Sequence, residues 1–524
     1  MLHSGGPFGN TLISALIAVL PLLWIFAAML KLKMPSHTAG VTALLCGVLL
    51  ATLAWGMPVP SAAEAVLEGM ALGLWPIIWV VVAAMFTYNL SVKSGAMEAI
   101  RGILSGISPD RRVQVLILAF AFGGFLEATA GFGTAVAIPA GMLAALGFEP
   151  IFAAVICLVA NTVPVAFGVV GIPVITLAKI TGLPLQNLSV YTALQLLPFA
   201  VVLPLLLVAI TTRGVKHIRG VAVLAAVGGI GFGTGQTIAV IILGPELAAT
   251  AGSITALVLL ILVNRIFPID QKRLWYFPGE NGFRLKENKP ITLIEGIKAW
   301  SPYIILLVLV LLTRLPALQF LSRYPFEQKV TLFTGPGGKP QSFSLLTNPG
   351  TLIVISAVFG GAIQRVPFKA MLMVVKTTLK QLLRTMITVL SIVALARVMG
   401  YSGMVAALAS GLAAAAGRFY PFISPLMGAI GTFLTGSDTS SNVLFGELQK
   451  QTAANIGADP SWIAAANASG ATAGKMVSPQ SIAIATSAVG LKGLEGRILS
   501  ATLKYAAVFV LLLGALVYGA YLLR

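Results

Sequence analysis

Apolar runs of roughly 18–25 residues, the length that carries a helix across a bilayer, recur along the whole of this chain. That recurrence excludes almost every soluble architecture. Only 10% of the residues are charged, against about a quarter in soluble domains. The alternating segments of roughly ten residues that build a membrane β-barrel are missing. The expectation is an all-α polytopic membrane protein of about 12–14 membrane segments, forming a single transmembrane domain over residues 1–524.

The net charge of +18 would suggest nucleic acid in a soluble chain. Here the bases crowd into short loops, as topology signals on the cytoplasmic side do. Lys93–Arg112 holds four, Arg265–Lys298 seven against four acids, and Arg365–Arg384 five with no acid. The last reads as an amphipathic helix on the inner surface, followed by a span at Met386–Met399. Pro58–Met70, with Glu64 and Glu68 and no base, reads as an amphipathic piece on the outer face. Arg314–Pro349 reads as an outer loop, although its four bases run against the charge rule. Met1–Asn10 leads into a first membrane helix rather than a cleaved signal. Cys46 and Cys157 lie in separate apolar segments, and His3, His37 and His217 do not cluster. Neither a disulfide framework, nor a metal site, nor a cofactor is expected.

Against this background the polar interruptions stand out. Phe433–Asn442 places seven polar or ionisable residues and Gly436 between apolar segments. At membrane depth each unpaired polar group costs several kcal/mol, so such a break lines a cavity or is buried in protein. A second break runs from Glu127 to Thr134, and two later ones cover Asn161–Pro173 and Asn467–Gln480.

The breaks are related to one another. Ser94-Gly95 and Phe125-Leu126 recur 308 residues later as Ser402-Gly403 and Phe433-Leu434. Gly147 and Pro150 recur at an offset of 310, and Asn161, Gly168 and Pro173 at 306, as Asn467, Gly474 and Pro479. Residues 70–212 are expected to form one repeat, 213–349 the linking helices and loops, and 350–524 the second repeat with a final helix. Leu72–Leu90 ends at bases whereas its mate Met386–Met399 begins at them, so the repeats are expected to be inverted, with discontinuous or re-entrant helices and a midplane site.

Glu127 and Asp438 are the only acids in the first pair of breaks. A carboxylate at membrane depth is costly when ionised, which suits it to carrying a coupled proton; the plain alternative is a hydrogen bond to loop backbone. Lys475 is positioned to pair with either acid or to bind a substrate carboxylate, or else to snorkel. Arg397 reads as a structural pair or a snorkelling residue. Thr129, Thr134, Ser437, Thr439, Ser440, Ser441 and Asn442 supply neutral donors and acceptors, as do Asn161, Asn467, Ser478 and Gln480, although each alone could simply cap a half-helix. Gly131-Phe132-Gly133 lets backbone approach closely, but without a preceding strand it is not a phosphate loop. No Ser/His or Ser/Lys pairing and no zinc pattern points to an enzyme.

The segments Phe-Leu-Glu-Ala-Thr-Ala-Gly-Phe-Gly-Thr (125–134), Asn-Thr-Val-Pro-Val-Ala-Phe-Gly (161–168), Phe-Leu-Thr-Gly-Ser-Asp-Thr-Ser-Ser-Asn (433–442) and Gly-Lys-Met-Val-Ser-Pro-Gln-Ser-Ile-Ala (474–483) together resemble the bacterial L-lactate permease family. Leu74-Trp75-Pro76 and Gly244-Pro245-Glu246 agree with the same resemblance. It implies a proton symporter of lactate and glycolate in a bacterial inner membrane, with no nucleic-acid partner. Ala128-Thr129 and Thr134 depart from the Gly-Ala and Ala expected there, and the added hydroxyls bear on which 2-hydroxy acid is preferred. The residues themselves leave open a sodium-coupled carrier of another small organic anion, or a passive anion channel.

Overall fold

A computed structural model describes residues 7–131, 133–269, 274–277, 292–313, 315–491 and 494–523. Most of the Arg265–Lys298 loop, and Phe132 in the first break, lie outside the described residues. The chain is a multi-pass, all-α membrane protein. Eleven helices among the described residues are long and apolar enough to span a bilayer, and Thr134–Ala145, Pro150–Ala160 and Pro349–Ile363 are shorter apolar ones. The exception to the helical rule is a hairpin, Glu327–Val330 paired antiparallel with Gln341–Ser344, with Glu327 opposite Ser344.

In chain order the first helices are α1 (Thr11–Met29), α2 (Ser36–Leu53) and α3 (Val59–Lys93), then α4 (Ala96–Ser105). The first polar break separates α5 (Arg111–Thr129) from α6 (Thr134–Ala145). The next lies between α7 (Pro150–Ala160) and α8 (Gly168–Thr181). Then come α9 (Leu185–Thr211), α10 (Ala222–Ile242), α11 (Ala248–Ile266) and α12 (Leu293–Thr313). After the hairpin follow α13 (Pro349–Ile363), α14 (Phe368–Ser402) and α15 (Met404–Ala416). The last group is α16 (Tyr420–Thr435), α17 (Asp438–Asn455), α18 (Pro460–Val477), α19 (Pro479–Ala488) and α20 (Glu495–Leu522).

Residues at matching offsets adopt matching local structure. Gly95 and Gly403 both take left-handed backbone (φ 78° and 89°) where a long helix meets a short one. Gly147 and Gly457 also have positive φ, and each precedes an acid that caps a helix beginning with proline. Glu149 accepts from the backbone of Ile151 and Phe152, and Asp459 from that of Ser461 and Trp462. Such caps satisfy helix N–H groups that have no carbonyl partner.

The structure alters two segments of the expected layout. Pro58–Met70 is not a surface piece: it continues into α3 with only a kink at Trp75, and Ala62, Ala65 and Glu68 are buried. The reason is Gly69, whose missing side chain lets α3 lie directly on the backbone of Ala394 in α14. Likewise Arg365–Arg384 and Met386–Met399 do not form separate surface and spanning helices; α14 is continuous through both. Arg397 is a structural residue, 3.4 Å from buried Glu68, which also accepts from the Tyr401 hydroxyl at 2.7 Å.

Among the described residues, the two largest of four buried apolar clusters organise the helices. One gathers α1, α2, α3, α14 and α15, and the other contains α5 to α11, α18 and α20. α17 crosses between them: Val443, Leu444, Phe445 and Leu448 belong to the first core and Ala453 to the second. Small residues let the second core close. A Cβ on Gly428 would strike the backbone of Asn467, one on Gly470 that of Pro425, and one on Gly474 that of Ala429. In a membrane, close contact between helix backbones replaces much of the hydrophobic drive available in water. Gly470→Ala should therefore destabilise the protein by about 1–3 kcal/mol through overpacking, seen as an earlier melt in fluorescence-detected size exclusion. Gly400→Ala, with no atom within 4 Å of the added methyl, should leave the melt unchanged.

Candidate functional site

The α5–α6 and α16–α17 connections, and the breaks before α8 and α19, all contribute to one cavity of about 240 Å³. It opens at the seam between the two cores. From one side come Ser36 and His37 of α2, Ile77 and Val81 of α3, and Arg384, Thr385, Thr388 and Val389 of α14. From the other come Glu127, Gly133, Gly168, Val169, Lys475, Gln480 and Ser481, with Ser437–Ser440 on the helix that bridges the cores.

Glu127 ends up here because α5 stops two residues later and Ala130 and Gly131 turn the chain back. The residue is 2% exposed and lies near a helix C-terminus, where the helix dipole disfavours a negative charge. Two partners compensate. Lys475 Nζ donates to Oε1 at 2.7 Å, and Asn161 Nδ2 donates to Oε2 at 3.0 Å. Lys475, 9% exposed, stands in the last turn of α18, where a cation is favoured. Gly168 makes room, since a Cβ there would come within 2.8 Å of Glu127 Oε1.

Asp438 is the opposite case. It is 3% exposed, in the first turn of α17, where the dipole favours negative charge. Among the described residues neither carboxylate oxygen accepts a hydrogen bond of ordinary geometry, although the Asn442 amide and the Lys475 ammonium both act on it. A buried carboxylate without donors is costly unless something binds it or it carries a proton.

Helix N-termini dominate the rest of the wall. α2 contributes Ser36 and His37, α6 the preceding Gly133, α17 Asp438 and Thr439, and α19 Gln480 and Ser481. Their first-turn N–H groups and the positive ends of their dipoles favour an anion. Beside them the first turn of α8 is strained. Val169 and Val170 have φ of 44° and 57°, left-handed values that a β-branched residue rarely adopts, and Val169 lines the cavity.

Of the site residues expected from sequence, Glu127, Asp438, Lys475, Ser437, Thr439, Ser440 and Gln480 line the cavity. The others are near it but bonded elsewhere. Thr129 donates to the Phe125 carbonyl at 2.8 Å, Thr134 to that of Gly131 at 2.7 Å, and Ser441 to that of Gly428 at 2.8 Å. Gly131 supplies the turn, with φ 57°. Asn161 holds Glu127 rather than facing the cavity. Asn467 donates to Asn442 at 2.9 Å, Asn442 donates to the Pro173 carbonyl at 3.2 Å, and Gln449 donates to Asn467 at 3.1 Å. Ser478 caps α19, accepting from the Ser481 N–H at 3.1 Å. Thr435, within the break expected to line a cavity, does so, whereas Ser36, His37, Arg384, Thr385, Thr388 and Ser481 line it without having been expected there. The available signal was the recurrence of Arg384, Thr385 and Thr388 at helical spacing just where the base-rich start of α14 gives way to an apolar run. Among the described residues no three His, Cys, Asp or Glu side chains gather as a metal site would require.

The model of the L-lactate permease family matches residues 14–523. The chain belongs to the L-lactate permease family. This permease is 42% identical to the L-lactate permease of Streptococcus iniae, over 86% of this chain and 93% of that one. It is 36% identical to the glycolate permease GlcA of Escherichia coli K12, over 97% and 96% of the two chains. It is also 36% identical to the L-lactate permease of Bacillus subtilis, over 96% and 95%. A solved structure, the YdaH transporter of Alcanivorax borkumensis, aligns with 79% of this chain and 85% of its own, at a TM-score of 0.35 and 15% identity. The permease is thus a membrane transporter and not an enzyme.

Within it, the buried Glu127–Lys475 pair is a structural test case. Removing one member of such a pair leaves an uncompensated charge, at a cost of about 3–5 kcal/mol. Glu127→Gln and Lys475→Met should each lower the melting temperature in detergent. The double variant should melt above either single one, while still failing to transport.

Proposed function

We propose that this permease imports lactate, and the closely related glycolate, by proton symport across a bacterial inner membrane, with alternating access to the cavity. The observation that carries the reading is the buried Asp438 carboxylate, which among the described residues accepts no hydrogen bond of ordinary geometry, in a cavity ringed by helix N-termini. The ring suits a small carboxylate anion, and Asp438 suits a group that is loaded and unloaded during transport. The named L-lactate and glycolate permeases among its relatives support the choice of a short 2-hydroxy acid.

In this reading Glu127 and Lys475 form a fixed pair that holds the tip of α5 against α18, and Asp438 carries the proton. Ser437, Thr439, Ser440 and Gln480 meet the substrate's carboxylate and hydroxyl. The cavity lies between two cores joined by α17, so movement of one core against the other would expose it to each side in turn. The matching turns at Gly95/Gly403 and Gly147/Gly457 support an origin of the two bundles in residues 70–212 and 350–524 as inverted repeats.

Purified protein in liposomes should accumulate L-lactate when the outside is acidified and stop when a protonophore removes the gradient. Asp438→Asn should lose accumulation by at least about tenfold, yet keep lactate exchange between equal concentrations, because a fixed neutral side chain still completes the cavity but carries no proton. Accumulation that follows sodium and ignores pH would replace the proton with sodium as the coupled ion. Uptake that never exceeds equilibrium would indicate a channel.

A further inference from the structure

The groups at the centre of the cavity contain no spare positive charge. Lys475 is committed to Glu127 at 2.7 Å, and Asp438 brings either nothing or a negative charge. A carboxylate entering this region therefore finds dipoles but no free cation. The cation is on the opposite wall. Arg384 of α14 lines the same cavity and is exposed at its mouth, together with Gln480. Among the described residues no hydrogen bond or ion pair engages its guanidinium. Lys369, Lys376, Lys380 and Arg397, the other bases along the same helix, do not line the cavity, and Arg397 is held by Glu68. The charge rule accounts for the four bases at the start of that helix equally well, but not for the presence of one of them at the substrate cavity.

The geometry points to Arg384 as the residue that takes the substrate's carboxylate. This rests on the transport reading above and adds the charge partner that reading lacks. A guanidinium offers two parallel N–H groups to the two carboxylate oxygens, which fixes the anion's orientation as well as its charge. Thr385 and Thr388 lie on the same helix face, and His37 faces the cavity from the start of α2. Arg384 and these neighbours belong to helices of one core, while Lys475, Gln480 and Ser481 belong to the other side. A substrate held by its carboxylate on Arg384 and by its hydroxyl on the helix tips would then touch both bodies at once.

The test is lactate counterflow in proteoliposomes, in a chain whose Cys46 and Cys157 are replaced by serine. Arg384→Gln should raise KM by about 10- to 100-fold, the value of a charge-assisted hydrogen bond pair, with kcat at saturation changed by less than about threefold. Arg384→Lys should fall between the two. Arg384→Cys should behave like the glutamine variant, regain most of its affinity after modification with a cationic methanethiosulfonate, and regain none with the anionic sulfonatoethyl reagent. The cysteine comparison uses one folded protein throughout, so loss of fold cannot imitate the result. A wild-type KM in Arg384→Gln, or equal KM after the two reagents, overturns the assignment while leaving lactate transport intact. Absence of exchange of either lactate or glycolate by the unmodified protein overturns both.

Discussion

The contact between Lys475 and Glu127 joins residues 348 positions apart in the sequence, and the layout of the site depends on it. Taking both charges out of water costs several kcal/mol each, so the pair survives only with close geometry and with its remaining oxygen satisfied. The 2.7 Å separation and the Asn161 donor meet those conditions. The effect is to fasten the end of α5 to the end of α18 and to bring the later break, through Asn161, into the same cluster. The pair also cancels its own charge. What is left for exchange with the cavity is Asp438 on one wall and Arg384 on the other.

Interrupting helices at membrane depth frees backbone groups that no water reaches, and the structure answers them with side chains. Asn442 donates to the Pro173 carbonyl, and is itself held by Asn467, which Gln449 and then Tyr420 continue outward. Ser437 and Ser478 cap the helices that restart after the breaks. At Val169 and Val170 the turn is instead made with left-handed backbone, at a cost of about 1–3 kcal/mol for each residue. Gly171 completes it, with φ 74° and the Pro245 carbonyl so close that a side chain would not fit. Such strain persists only where the surrounding packing overrules it, and here it sets the edge of the cavity.

The spans and the breaks could be read from sequence because both disturb hydropathy: long runs without charge, then Gly, Ser, Thr, Asn and an acid where none belongs. Glu127, Asp438 and Lys475 stood out for that reason, and the cavity contains all of them. The hydroxyls were ambiguous for a physical reason as well. A serine or threonine in a membrane helix can always turn back to a carbonyl one turn earlier, as Thr129 does, or to a nearby loop carbonyl, as Thr134 does, and composition does not reveal which do. The opposite wall was harder to see because it is regular helix. Arg384, Thr385 and Thr388 sit in α14 without any break to mark them, and their base-rich neighbours suggested a surface position. Glu68 misled in the same way: an acid in a short apolar piece looked solvent-facing, whereas Arg397 and Tyr401 bury it.

The two acids of the site differ in a way that a symmetric pair of breaks would not suggest. Glu127 closes a helix and Asp438 opens one, so the helix dipoles act on them with opposite sign. The first needs a cation and has one. The second is favoured as an anion by its own helix, yet among the described residues no donor bonds to its oxygens in ordinary geometry. A carboxylate in that position gains most from a partner that comes and goes, because no permanent one is built in. An anionic substrate arriving nearby would repel it while ionised and tolerate it once protonated, by roughly 4 kcal/mol for charges 4 Å apart at the effective dielectric of a protein surface. In the proposed symport, binding of the anion and binding of a proton would thereby reinforce each other through a single buried group. This is the requirement for coupling two solutes, and it needs no contact between Asp438 and the substrate itself.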